Sequence, residues 1–108
     1  MCKAVHVLAF HDSGYVVQCR QCEMIQFAFG TTIATLTENQ FDEFRVRLEK
    51  HTDELNVFEN CCKEKSIQLA IVSNSMMIGL TPFEANSLLR LLSEAKAGLE
   101  VNKLLHDE

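Results

Sequence analysis

Ile33-Ala34-Thr35-Leu36-Thr37-Glu38-Asn39-Gln40-Phe41 is the stretch whose reading decides the fold. From Thr31 to Leu36 the residues are apolar or β-branched, as in a strand. At Thr37 the period changes. Thr37 and Gln40 stand three apart as a capping box, in which the Thr hydroxyl accepts from an early helix N–H and the Gln side chain reaches back to the Thr37 amide. Phe41, Phe44, Leu48, His51/Thr52, Leu55 and Phe58 then recur in steps of three and four, the stripe of an amphipathic helix. His51 falls on this stripe, which reads as a core or boundary histidine. Glu38, Asp42 and Glu43 suit the positive end of the helix dipole.

The same grammar returns downstream. Ser66–Val72 reads as a strand, Ser73-Asn74-Ser75 as a tight turn and Met76–Leu80 as its partner. Thr81-Pro82-Phe83-Glu84 is a second capping box, with Pro at the first helical position where its missing N–H costs nothing. Leu88, Leu91, Leu92, Ala95 and Leu99 form the next buried stripe, continuing towards Leu104 or Leu105. Upstream, residues 4–10 and Tyr15–Cys19 flank the turn residues His11-Asp12-Ser13-Gly14, and Met24–Phe29 is a further strand ended by Gly30. The reading is α+β: an antiparallel sheet with both helices on one face, in the order ββ-ββα-ββα. Ile33–Thr37 aligns with Met77–Thr81, and Phe44 and Leu48 with Leu88 and Leu92. This pseudo-repeat reads either as duplication or as two junctions that need the same cap chemistry.

The chain has 108 residues, 47% hydrophobic and 23% charged, which suits one globular domain over residues 1–108. Such a chain buries roughly 65% of its unfolded surface and needs no staple. The net charge is −5 and the ten basic residues are scattered, so no basic face marks a nucleic-acid partner. No run approaches the roughly 20 apolar residues of a membrane span. Lys3 and His6 interrupt the N-terminal apolar run, which does not read as a signal peptide. A cytoplasmic location is expected.

There the five cysteines would be reduced, and closely spaced thiols point to metal or redox chemistry. Cys19-Arg20-Gln21-Cys22 is a knuckle between two strands, a turn that can aim two thiolates at one zinc about 2.3 Å away. A structural zinc needs four ligands, and Cys2, Cys61 and Cys62 are the candidates to complete it. Cys2 is best placed: with a hairpin turn at Asp12–Gly14, position 7 pairs with position 19 and the preceding segment runs past the knuckle. Cys61 and Cys62 are vicinal and come from the loop after the first helix. His6 and His11 are weaker candidates. A redox pair at Cys19 and Cys22 is the alternative, although no helix N-terminus follows to activate a thiol. Reduced cysteines packed as small hydrophobes are the plain reading.

Catalytic patterns are thin. His51 with Asp53, and His11 with Asp12-Ser13, are pairings that arise by chance, and turn Asp and Ser serve backbone hydrogen bonds. No Gly-rich phosphate loop is present in the sequence. The apolar side chains are in excess: Met76-Met77-Ile78, Leu89 and Val101 exceed what one packing face uses, which points to a homodimer or another protein partner.

Met1-Cys2-Lys3, Gly14–Cys22, Ile25–Gly30 and Leu36-Thr37 together resemble a small bacterial family of uncharacterised, cysteine-containing domains. The resemblance covers most of the chain and is sharpest in the first forty residues. It implies one recurrent pattern for Cys2, Cys19 and Cys22 and supplies no catalytic residues. The expectation is a non-enzymatic interaction or regulatory module with zinc on Cys19, Cys22, Cys2 and one of Cys61 or Cys62. A thiol-based redox enzyme or sensor is the alternative.

Overall fold

The structure, a computed structural model, describes residues 5–54, 67–71 and 77–106. In chain order these form β1 (Val5–His11), β2 (Gly14–Cys19), β3 (Ile25–Phe29), β4 (Thr32–Leu36), α1 (Glu38–Glu54), β5 (Ile67–Ala70), β6 (Met77–Leu80) and α2 (Pro82–His106). The architecture is α+β. Leu55 and Phe58, expected on the stripe of α1, and the turn at 73–75 lie outside the described residues.

Instead of the one continuous sheet expected, there are two: β1-β2-β3-β4 in sequential antiparallel order, and a separate β5-β6 pair. Arg47 of α1 donates through Nη2 to the carbonyls of Ala70 and Ile71, at 2.8 and 3.2 Å, tying the end of β5 to the helix.

Both helices cover one face of the four-stranded sheet, α2 against β1 and β2 and α1 against β4. Val16, Ile25, Phe27, Ala34 and Leu36 point into this layer and meet Phe41, Phe44 and Leu48 of α1 and Leu88, Leu91, Leu92, Ala95 and Leu99 of α2. Phe27 and Phe44 stack with ring centroids 5.6 Å apart and planes at 14°. His51, expected on the stripe, is exposed. Among the described residues the buried positions of α1 are Phe41, Phe44 and Leu48.

The two caps form as the sequence predicts, with nearly the same geometry. Gln40 N–H donates to Thr37 Oγ1 at 3.1 Å and Thr37 N–H to Gln40 Oε1 at 2.9 Å. Glu84 N–H donates to Thr81 Oγ1 at 3.1 Å and Thr81 N–H to Glu84 Oε1 at 2.9 Å.

The first hairpin corrects the expected register. Val7 faces Val17 and Val5 faces Cys19, two positions from the expected pairing of 7 with 19. The chain turns through only two residues, since His11 already pairs with Gly14, and β1 carries a bulge at Leu8 between Val7 and Ala9. Leu8 and Ala9 are both buried. Gly14 allows the close approach of β2 to β3, because a Cβ there would lie 2.0 Å from the Ala28 carbonyl oxygen.

Candidate functional site: the cysteine knuckle and its cleft

β2 ends on Cys19 and β3 begins at Ile25, so the knuckle closes the central hairpin of the larger sheet. Cys19 N–H donates to the Met24 carbonyl at 2.9 Å, and Glu23 N–H to the Cys19 carbonyl at 3.0 Å. Glu23 is left-handed, with φ 65°, a conformation that costs a non-glycine residue roughly 1–2 kcal/mol. Hydrogen bonds at both ends of the residue hold it there: its N–H to Cys19, and its carbonyl to Gln18 Nε2 at 3.1 Å. Within the turn, Cys22 N–H points at Cys19 Sγ, 3.4 Å away.

Beside the knuckle lies an open cleft of about 570 Å³, whose lining includes His6, Gln18, Cys19, Arg20, Glu38 and Lys103. The side chains pair across it. Arg20 donates to His6 Nδ1 from Nη2 at 2.8 Å and from Nε at 3.2 Å. A guanidinium cannot accept, so His6 Nδ1 is the acceptor and the proton of a neutral ring sits on Nε2. Gln18 Nε2 also donates to Glu38 Oε1 at 3.0 Å, and Glu38 Oε2 meets Lys103 Nζ at 2.9 Å. The hydrogen-bonded ammonium of Lys103 holds the Glu38 carboxyl below its ordinary range; burial opposes this and Gln18 adds to it. In return Glu38 raises Lys103.

Of the five cysteines singled out from sequence, two are in the described structure and share this turn. Cys19 is buried and disulfide-bonded. Cys22 is exposed. Cys2, Cys61 and Cys62 lie outside the described residues. Among the described residues no three His, Cys, Asp or Glu side chains come together as a metal-binding group. Among the described residues the knuckle supplies two cysteines, of which Cys19 has its sulfur held in a disulfide. His6, set aside as a ligand, lines the same cleft as Cys19, whereas His11 is engaged elsewhere, 2.6 Å from Glu94 of α2. His51 stands on the exposed side of α1.

The pattern of residues 1–107 matches the family model described as "Family of unknown function (DUF6686)". The chain belongs to DUF6686. No curated protein and no solved structure matches it. The DUF6686 match runs through the knuckle, the cleft strands and both helices, so these features stand within one family pattern. No helix among the described residues is long and apolar enough to cross a membrane.

Sequence reasoning missed most of the cleft. Gln18 reads as a strand residue, Glu38 as a dipole partner and Lys103 as part of a weakly patterned helix end. Only the fold brings positions 18, 38 and 103 together. Arg20 was visible, lying inside the knuckle itself.

Proposed function

We propose that this DUF6686 chain is a non-enzymatic regulatory module that binds itself or another protein, with the Cys19–Cys22 knuckle as its responsive part. The observation that supports the reading is the N–H of Cys22 aimed at Cys19 Sγ at 3.4 Å. That bond closes the C-x2-C turn so that both cysteines stand at one end of the central hairpin, the placement a zinc knuckle needs once both are reduced. In the reduced state Cys19 and Cys22 supply two of four zinc ligands, with Cys2 and one of Cys61 or Cys62 completing the set. The zinc would then tie the N-terminus and the post-α1 segment to the central hairpin. The metal is structural in this reading, because four protein thiolates leave no open position for chemistry.

The disulfide at Cys19 favours a second reading, a thiol-based redox sensor. A sulfur held in a disulfide is no longer a metal ligand, so oxidation and zinc binding compete for the same atom. A cytoplasmic setting suits a switchable thiol, since the reducing pool there returns it to the thiolate. The two capping boxes share their geometry, which suits either duplication or two junctions that need the same cap chemistry.

One experiment separates the readings: zinc content and thiol titration of the full chain, purified under reducing conditions. One equivalent of zinc with protected thiols, lost in Cys22→Ser, supports the metal reading. No zinc, with a Cys22 that reacts at least tenfold faster than a free cysteine, leaves the sensor reading. No zinc and slow thiols overturn both.

A further inference from the structure

Arg20 stands in the knuckle turn, and its side chain lines the cleft together with His6, Glu38 and Lys103. A guanidinium has an edge on which Nε and Nη2 point the same way, at the spacing of the two oxygens of a carboxylate. In Arg20 both donors of that edge converge on one acceptor, His6 Nδ1, at 3.2 and 2.8 Å. A single imidazole lone pair thus receives what two anionic oxygens would take, and the contact is exposed. Among the described residues no carboxylate pairs with Arg20.

The neighbouring charges are already answered. Lys103 Nζ meets Glu38 Oε2 at 2.9 Å, and Glu100 and Glu23 add to the attraction on its ammonium. Glu38 spends its other oxygen on Gln18. On α1, Arg45 has Asp42 and Glu49. The guanidinium of Arg20 is the cleft cation whose matching anion is missing.

We propose that the cleft binds a small organic carboxylate, whose two oxygens take the Nε–Nη2 edge of Arg20 in place of His6. The inference goes beyond the knuckle reading and does not depend on what the sulfur atoms hold. Charge favours a carboxylate over a phosphate. Arg20 and Lys103 are balanced in the lining by Glu23 and Glu38. One negative charge suits one unanswered guanidinium, whereas a phosphate dianion would bring a second charge up to two carboxylates. Shape leaves room for the rest of the ligand. A volume of about 570 Å³ falls in the range of small-molecule sites, and Leu99 adds an apolar wall.

Proton–nitrogen correlation NMR of the full chain, titrated with sodium benzoate at constant ionic strength, tests this. Benzoate should give saturable shifts at the Arg20 Nε–H and at the Gln18 and Lys103 amides, with a Kd of about 1–10 mM. Benzamide, of the same shape without the charge, should give none. Arg20→Gln should weaken benzoate binding at least tenfold. Arg20→Lys keeps the charge and loses the fork, so it should fall between. His6→Ala removes the competitor and should tighten binding. Amide dispersion reports the fold of each variant. Absence of a saturable shift at Arg20, an affinity unchanged in Arg20→Gln, weaker binding in His6→Ala, or inorganic phosphate binding as tightly as benzoate overturns the proposal. Zinc content and thiol reactivity are separate measurements on the same preparation, so failure here leaves the knuckle reading standing.

Discussion

Glu38 carries two functions at once. Its position in the first turn of α1 suits the helix dipole, as the sequence predicts. Its two carboxylate oxygens meanwhile take Gln18 from β2 and Lys103 from α2, joining strand and helix across the cleft. A carboxyl held below its ordinary range by the folded state contributes stability that is present above its unfolded value. That stability is lost as pH falls through the folded value. The raised Lys103 acts at the other end of the scale, its share being lost only as pH rises through its own folded value, well above neutrality. Glu38→Gln should therefore lower the urea midpoint at pH 7 and have little effect once both forms are protonated, near about pH 2–3. The difference should stay under about 1 kcal/mol, because Lys103 is mostly exposed and solvent screens the pair. Paired denaturation curves at the two pH values provide the check.

The helix starts were the most legible elements, because a capping box is local chemistry written within four residues. Their loss should be measurable. Thr37→Ala and Thr81→Ala should each cost about 1 kcal/mol, read as a lower urea midpoint at unchanged slope, with serine at either position restoring most of it. Thr81→Ala should be the more damaging, since the Thr81–Glu84 box is part-buried and the Thr37–Gln40 box is exposed. Strand positions were also readable from β-branched runs and turn residues. Register was not. The bulge at Leu8 is set where α2 crosses β1, with the Leu8 carbonyl oxygen 3.1 Å from where a Cβ on Gly98 would stand. Ninety residues of sequence separate the two positions, beyond what periodicity records. The same holds for the second sheet: nothing near Ser66–Leu80 shows that Arg47 takes the carbonyls at the end of β5.

At the scale of the molecule, α2 joins the parts. Its 25 residues touch β1 and β2 in one sheet, β6 in the other, and α1 between them. Asp42 of α1 and Lys96 of α2 add an ion pair at 3.3 Å. A helix shared in this way couples the two sheets, so unfolding should be a single transition. Tyr15 is the one tyrosine, no tryptophan is present, and its fluorescence reports the larger sheet alone. Its midpoint should coincide with the far-UV signal, and Leu91→Ala, which empties a fully buried position on α2, should move both together by about 2–5 kcal/mol. Separate midpoints would mean that the sheets melt independently. The candidate site was legible to the extent that it is local: Cys19-Arg20-Gln21-Cys22 can be read directly, while the cleft is assembled from β1, β2, α1 and the far end of α2. The bulge also has a hereditary meaning. Seven residues of β1 run beside six of β2, so the strand carries one surplus letter. Losing that letter at Leu8 would leave Val5, His6 and Val7 on their present sides, like a deletion that preserves a reading frame. Losing His6 instead would put the frame out of step and turn Leu8 towards solvent. Two deletions two residues apart should thus have opposite consequences for the outer surface.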